Sequence, residues 1–507
     1  MLDLAHSALE AVAVGRSGDE LIDDERYIRL CQGHHSSWWW ERGASTPQRL
    51  RAPLLGLLVG SAGHCARPVR LVGEVAEVDQ ETGEVRESFS TDDEPDGILL
   101  KACGNRRASR CPSCSEVYRA DAWQLIAAGL RGGKGLPETV SNHPRLFVTF
   151  TAPSFGPVHA RREQNGRALA CRPRDPRAQC VHGRPVGCWR RHEPDDDALG
   201  TPLCGECFDY EAAVLWNALA PELWRRTTIY LRRALARRAG MRAADFRRSI
   251  RLAYAKVAEY QQRGAVHFHA VIRLDAPPPS DDPDRVEPPP APFTAELLAE
   301  AIRDAAASVA VTLPSTRRAL ARAIGWGEQL DIEVIEAGRA ADETLSAEAV
   351  AGYIAKYATK STEGFGPALD HRLTVDDLGD LGVSEHVAEL VRTCWRLGAE
   401  PALGALGLRR WAHMLGFRGH WSTKSRRYST TFTALRRARV EHIKRRLLDP
   451  WGRPTTEGAT VPFAEWRYAG RGYRTAGDAW LAASAAAHAG ERRRIAREEL
   501  TTSPRAA

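Results

Sequence analysis

Residues 259–275 read EYQQRGAVHFHAVIRLD, and the fold turns on how this stretch pairs. Residues 265–274 are β-branched, aromatic and apolar around two histidines. Residues 252–261 form a second strand-like run, and Arg263-Gly264 between them supplies the turn of a β-hairpin. Side chains alternate along a strand, so His267 and His269 share one face while Val266, Phe268 and Ala270 take the other. With a three-residue loop of Arg263, Gly264 and Ala265, Gln261 falls opposite His267 and Glu259 opposite His269, on the histidine face. A carboxylate beside two imidazoles makes a three-ligand metal site with open positions. An isolated His-x-His also recurs by chance, so its weight depends on what surrounds it.

Farther along, Tyr353-Ile354-Ala355-Lys356-Tyr357-Ala358-Thr359-Lys360 repeats Tyr-x-x-Lys twice inside a helix expected over 346–359. Residues four apart share a helical face, so the tyrosines form one stripe and the lysines another beside it. A phenol ordinarily ionises near pH 10; attack by one on a phosphodiester needs a metal on the phosphate oxygens and ammonium groups against the developing charge. The same spacing also suits an amphipathic helix with aromatic core contacts and snorkelling lysines.

Around these two elements, residues 146–151 (LFVTFT) read as a buried strand ended by Pro153. Helical periodicity runs over 210–219 and 223–238, then over 294–309, with a further strand at 331–335. Residues 276–293 are too rich in proline and acid for helix or central strand and form an insertion or linker. The first 94 residues mix helical patches, the Trp38-Trp39-Trp40 run and strand-like pieces such as 69–75; the C-terminal third reads as mostly helical. The expected segments are an N-terminal region with a cysteine knuckle (1–140), the first part of the core with a Cys-rich insertion at 171–207 (141–275), the insertion and helix (276–325), the rest of the core with the tyrosine helix (326–375), and a helical, basic C-terminal region (376–507).

A chain of 507 residues exceeds one compact core. It has no apolar run of membrane-spanning length, and Asp3, Glu10, Asp19 and Glu20 replace a secretion signal, so no membrane partner and a cytoplasmic location are expected. Thiols stay reduced there, which turns the eleven cysteines toward metal before disulfides. Cys111-Pro112-Ser113-Cys114 is a knuckle that Cys65 and Cys103 complete as a four-thiolate site; Cys180, Cys188, Cys204 and Cys207 form a second set, with Cys171 and His182 in reserve. Two structural zinc ions are therefore expected, although such pairs also serve as redox groups or buried thiols. The net charge of +7 is modest. Its local excess is not: Lys424, Arg426, Arg427, Arg436, Arg437, Arg439, Lys444, Arg445 and Arg446 face the single acid Glu441, as either a phosphate-binding surface led by Lys424, Arg426 and Arg427 or a solvated helix face.

The segments CGNRRASRCPSC (103–114), HPRLFVTFTAPSFGPVH (143–159), LWRRTTIYLRRAL (223–235), EYQQRGAVHFHAVIRLD (259–275), GYIAKYATKSTE (352–363) and GFRGHWSTKSRRYSTTF (416–432) resemble, in that order, the RepSA-type replication initiators of actinobacterial plasmids and integrative elements, within the HUH endonuclease superfamily. The resemblance implies an α+β fold, an antiparallel sheet flanked by helices, with the histidine pair on a central strand and the tyrosines on a later helix. It implies Mg²⁺ or Mn²⁺ on His267, His269 and Glu259. Tyr353 or Tyr357, aided by Lys356 and Lys360, would attack one DNA strand at an origin, leaving a 5′-phosphotyrosine and a free 3′-OH for rolling-circle replication by host polymerase. Paired tyrosines would also allow rejoining at termination. No Walker phosphate loop occurs, so a host helicase is the expected unwinding partner. The rival readings are a two-tyrosine HUH transposase, which shares these motifs, and a non-catalytic zinc-dependent DNA-binding regulator, in which His-Phe-His and the tyrosine helix are structural. A conjugative relaxase usually carries its tyrosine before the histidine motif; here the tyrosines follow.

Overall fold

Strands form where β-branched and aromatic residues alternate, and helices where apolar residues recur every three or four positions. The computed structural model describes residues 59–502 except 61, 280–281, 283–284, 314–321, 337–345, 361–364, 366–368, 370, 380–381 and 449–459. The Trp38-Trp39-Trp40 run lies outside the described residues, as do the helical patches read before residue 59. In chain order the strands are β1 (Val69–Asp79), β2 (Val85–Ser90), β3 (Leu99–Lys101), β4 (Arg145–Phe150), β5 (Arg162–Gln164), β6 (Arg167–Leu169), β7 (Arg251–Tyr260), β8 (Val266–Asp275), β9 (Ala310–Leu313), β10 (Arg322–Gly325), β11 (Leu330–Val334), β12 (Ser422–Lys424) and β13 (Thr460–Arg471). The α-helices are α1 (Pro112–Arg131), α2 (Tyr210–Arg238), α3 (Ala243–Ser249), α4 (Ala295–Ser308), α5 (Ala347–Ala358), α6 (Glu385–Leu397), α7 (Phe432–Leu448) and α8 (Ala476–Thr502). The protein is thus a mixed α/β chain built on antiparallel sheets.

Contacts divide the chain into two units, Met1–Asp121 with Thr431–Ala507, and Ala122–Thr430. The first unit holds a sheet of order β13-β1-β2, with β3 also on β1. β13 is a twelve-residue strand in a region whose composition reads as helical. Its partner β1 lies nearly the whole chain away, and such non-local pairing leaves no local periodic signal.

The second unit is organised by a five-stranded antiparallel sheet of order β11-β4-β8-β7-β12, with β8 at its centre. One face is apolar. There α2 sets Trp224 edge-on to Phe150 and Phe268, at centroid distances of 5.6 and 6.1 Å. The two helical runs expected over 210–238 are one helix that continues through Pro221. Proline costs it an intrahelical hydrogen bond, and the burial of residues 213–220, Leu223 and Trp224 offsets that loss. The helix starts where the Asp209 carboxylate accepts from the Ala212 amide at 2.9 Å.

The β7–β8 hairpin closes differently from the expectation. Tyr260 pairs with Val266, Glu259 with His267 and Val257 with His269, so the loop is 261–265, five residues instead of three. Buried Asn217 of α2 fixes it, donating to the Gly264 and Leu415 carbonyls at 2.8 Å and accepting from the Val266 amide at 2.9 Å. Gly264 has φ 75°, and a Cβ there would stand 2.6 Å from Leu390 Cδ1, so only glycine fits this turn. The register differs by two residues. An even shift keeps every side chain on its face, so Glu259 still joins the histidines while Gln261 moves into the loop and accepts from Arg263.

On the apolar face Lys256 is buried, its ammonium 3.7 Å from the Phe268 ring centroid, and burial pushes its pKa down to about 7. Between that value and the ordinary 10.5 the unfolded chain carries a proton that the folded chain lacks, so this lysine makes stability rise with pH across the window. Lys256→Met is expected to stabilise the protein by about 2 kcal/mol at pH 6, because the desolvation cost of a buried charge outweighs its contact with the Phe268 ring, and to flatten that rise. Urea denaturation at pH 6, 8 and 10 checks it.

Candidate metal and tyrosine site

The opposite face of the central sheet carries a cluster that could hold a metal ion. Glu259 on β7 and His267 and His269 on β8 converge: Glu259 Oε2 lies 3.1 Å from Nε2 of each histidine, and the two Nε2 atoms are 3.2 Å apart. Cis ligands of an octahedral ion at roughly 2.1 Å stand about 3 Å apart, so the three donors fit one divalent cation. Burial pushes the Glu259 carboxyl up, but hydrogen bonds from His267 and His269 overcome it and hold the pKa at about 2. Burial lowers the His269 pKa, which favours the neutral imidazole that a metal requires.

Two residues of β4 complete this pocket. Thr149 stands directly opposite His269 and places its hydroxyl 3.0 Å from Nδ1. Phe147 stacks on the His269 ring at 5.8 Å and meets Tyr353 edge-on at 5.7 Å. Sequence reasoning placed the strand but assigned these residues nothing. The signal was its alternation, in which Phe147 and Thr149 share a face.

α5 begins at Ser346, whose side chain accepts from the Ala349 amide at 3.1 Å. It buries Val350, Ala351, Ile354, Ala355 and Ala358, which leaves the tyrosines at the margin of that face. Tyr353 Oη lies 3.3 Å from His269 Nε2. The Tyr357 ring is 4.5 Å from that of Tyr353 and 5.6 Å from His269. Lys360 Nζ stands 3.8 Å from Glu259 Oε1 and 4.5 Å from the Tyr357 ring centre, while Lys356 is 5.7 Å from that ring. Burial raises both tyrosines, and the hydrogen bond between them raises Tyr353 further while lowering Tyr357.

The cysteines gather in three groups, where sequence reasoning had two. Cys65, Cys103, Cys111 and Cys114 come together, with Cys111 to Cys65 at 3.8 Å and Cys103 to Cys114 at 3.7 Å. Those separations rule out disulfides and match the roughly 3.8 Å edge of a tetrahedron with 2.3 Å zinc–sulfur bonds. In the second group His182 takes the place expected for Cys188, joining Cys180, Cys204 and Cys207. Cys188 instead meets His159, Cys171 and His192. Spacing could not assign it, because the residues of the two groups alternate in sequence and none of the three histidines, His159, His182 and His192, sits in a Cys-x-x-Cys.

Among the basic residues, Lys424 turns its ammonium onto the carbonyls of Ser425, Arg426 and Ser429 at 3.4, 3.2 and 3.0 Å, and burial lowers its pKa. Arg426 and Arg427 are exposed. No helix among the described residues is long and apolar enough to cross a membrane.

The chain is similar to known proteins over most of its length. A replication initiator protein of Streptomyces ambofaciens is 44% identical over 445 residues, covering 86% of this chain and 90% of its own length. No solved structure matches the chain. The family described as RepSA, replication initiator protein, pSAM2, matches residues 56–487, and with most of the sequence so covered the chain belongs to the RepSA family of replication initiators.

Proposed function

We propose that this replication initiator is an HUH endonuclease that nicks one strand at its origin with a tyrosine on α5 and rejoins strands at termination. The observation that carries the reading is the Tyr353 hydroxyl 3.3 Å from His269 Nε2, within a cluster of two imidazoles and a carboxylate. On this reading the nuclease core is built from 141–275 and 326–375, and its central antiparallel sheet is the HUH core.

A Mg²⁺ or Mn²⁺ ion, when bound by Glu259, His267 and His269, supplies Lewis-acid polarisation of the scissile phosphate. With a metal on Nε2 the His269 proton would sit on Nδ1, where the Thr149 hydroxyl, 3.0 Å away, would accept its hydrogen bond and hold that tautomer. The tyrosine oxygen forms its bond to phosphorus as the bond from phosphorus to the 3′ oxygen breaks; the phenol loses its proton and the departing 3′ oxygen gains one. Lys356 and Lys360 lie against the charge that develops. The products are a 5′-phosphotyrosine and a 3′-OH that host polymerase extends, with a host helicase opening the duplex. Exposed Arg426 and Arg427 suit contact with DNA phosphates, whereas Lys424 serves the fold of its own loop.

The four-residue groups around Cys65 and Cys180 hold structural zinc, since four protein ligands leave no open position. The test of function is incubation of the purified chain with a single-stranded oligonucleotide from its own origin and Mn²⁺. A covalent protein–DNA adduct that disappears with EDTA and returns on adding Mn²⁺ is expected; no adduct with or without metal overturns the reading. Thr149→Val removes the hydrogen-bond acceptor from His269 and is expected to raise the Mn²⁺ concentration for half-maximal adduct formation about 10-fold. A metal titration of nicking checks it.

A further inference from the structure

The eight ligand residues between His159 and Cys207 fall along the chain as four pairs: His159 with Cys171, Cys180 with His182, Cys188 with His192, and Cys204 with Cys207. The first and third pairs converge on one point and the second and fourth on another. In the first group His159 Nδ1 lies 3.2 Å from His192 Nε2, which is 3.6 Å from Cys188 Sγ. These match the roughly 3.3 Å and 3.5 Å edges of a tetrahedron with zinc–nitrogen bonds of about 2.05 Å and zinc–sulfur bonds of 2.3 Å. His192 also has the outer partner that metal-bound histidines commonly show: its Nδ1 stands 2.7 Å from Asp196 Oδ2, which leaves Nε2 to face the cluster. Cys171 Sγ accepts from the Ala160 amide at 3.2 Å, as a thiolate ligand does.

We propose that His159, Cys171, Cys188 and His192 hold a further structural zinc, and that this ion and the one on Cys180, His182, Cys204 and Cys207 cross-brace the segment so that neither site persists without the other. The proposal rests on the structural-zinc reading of the second group. The interlock follows from chain order. Cys180 and His182 lie in the loop that the first zinc closes between Cys171 and Cys188, while Cys188 and His192 lie in the loop that the second closes between His182 and Cys204. Beyond the three-residue strands β5 and β6 and isolated bridges such as Arg172 with Cys188 and Gln179 with Pro185, the segment has no helix or longer strand and no large core, so the two ions would be its strongest constraints. The brace abuts the catalytic hairpin: Gly200, at φ 81°, comes so near the β7–β8 turn that a Cβ would stand 2.2 Å from the Gln262 carbonyl carbon.

The test counts zinc in the full-length chain by elemental analysis and native mass spectrometry, in a His267→Ala plus His269→Ala background so that the open site contributes nothing. Three zinc ions per chain are expected, one of them on Cys65, Cys103, Cys111 and Cys114. In that background Cys171→Ser and Cys204→Ser are each expected to lower the count from three to one. A starting count of two with Cys171→Ser leaving it at two overturns the further site. A count unchanged by Cys204→Ser overturns the reading of the second group instead, and a fall from three to two with either variant overturns the interlock. The starting count needs no cysteine variant, so it tests the further site even if both serine proteins fail to accumulate.

Discussion

Replacing His269 by Ala is expected to lower adduct formation on an origin oligonucleotide on the order of 10³-fold, the rate equivalent of the several kcal/mol that a metal contributes to transition-state charge stabilisation. His267→Ala should act in the same direction. Both residues touch Glu259, and deleting either leaves a carboxylate and a single imidazole, too few donors to hold a divalent ion against water. The fold should survive, because the apolar side of β8 is untouched: Val266, Phe268, Ala270 and Ile272 remain buried against α2 and its neighbours. Circular dichroism and thermal melting on the same samples separate a dead site from a misfolded chain. Wild-type adduct yield from either folded variant would remove the metal from the mechanism.

The parts of this site that sequence revealed are those with a local period. Strand alternation put His267 and His269 on one face, and helical spacing put Tyr353 and Tyr357 in one stripe. The helix ends also announced themselves, since Ser346 and Thr294 cap α5 and α4 through their own side chains. Long-range contact decided the rest. The turn length that pairs Glu259 with His267 depends on Asn217, about fifty residues away, and the guanidinium of Arg263 fastens the same turn to the carbonyls of Ala152 and Pro153. Thr149 gains its role only because β4 pairs with β8 in a register that sets it opposite His269. Cys188 was assigned to the wrong neighbours because proximity in sequence is a poor guide when two ligand sets interleave. The two-residue difference in hairpin register left the site intact, since the face of a strand residue depends on parity alone.

Tyr353→Phe plus Tyr357→Phe is expected to abolish the covalent adduct while leaving DNA binding unchanged, since only two hydroxyls are removed. The single variants should differ. Tyr353 Oη already lies 3.3 Å from His269 Nε2, so it can reach a phosphate held at the metal; Tyr357 sits one turn on, its ring 4.5 Å from Lys360 Nζ. Position and acidity here point in opposite directions, for burial and the hydrogen bond with Tyr357 make Tyr353 the harder phenol to ionise. A cation held by Glu259, His267 and His269 would tip the balance toward Tyr353, because positive charge acts most strongly on the nearer oxygen. Tyr353→Phe alone should therefore lower the first cleavage of a linear origin oligonucleotide on the order of 10³-fold, as loss of a nucleophile does. Tyr357→Phe should leave that first cleavage near wild type but block transfer of the captured strand to a second, labelled oligonucleotide, the step that needs a free tyrosine once the first is esterified. Gel separation of adduct from strand-transfer product reads both steps in one reaction. The reverse pattern would make Tyr357 the first nucleophile, and full adduct yield from the double variant would place the attacking group outside α5.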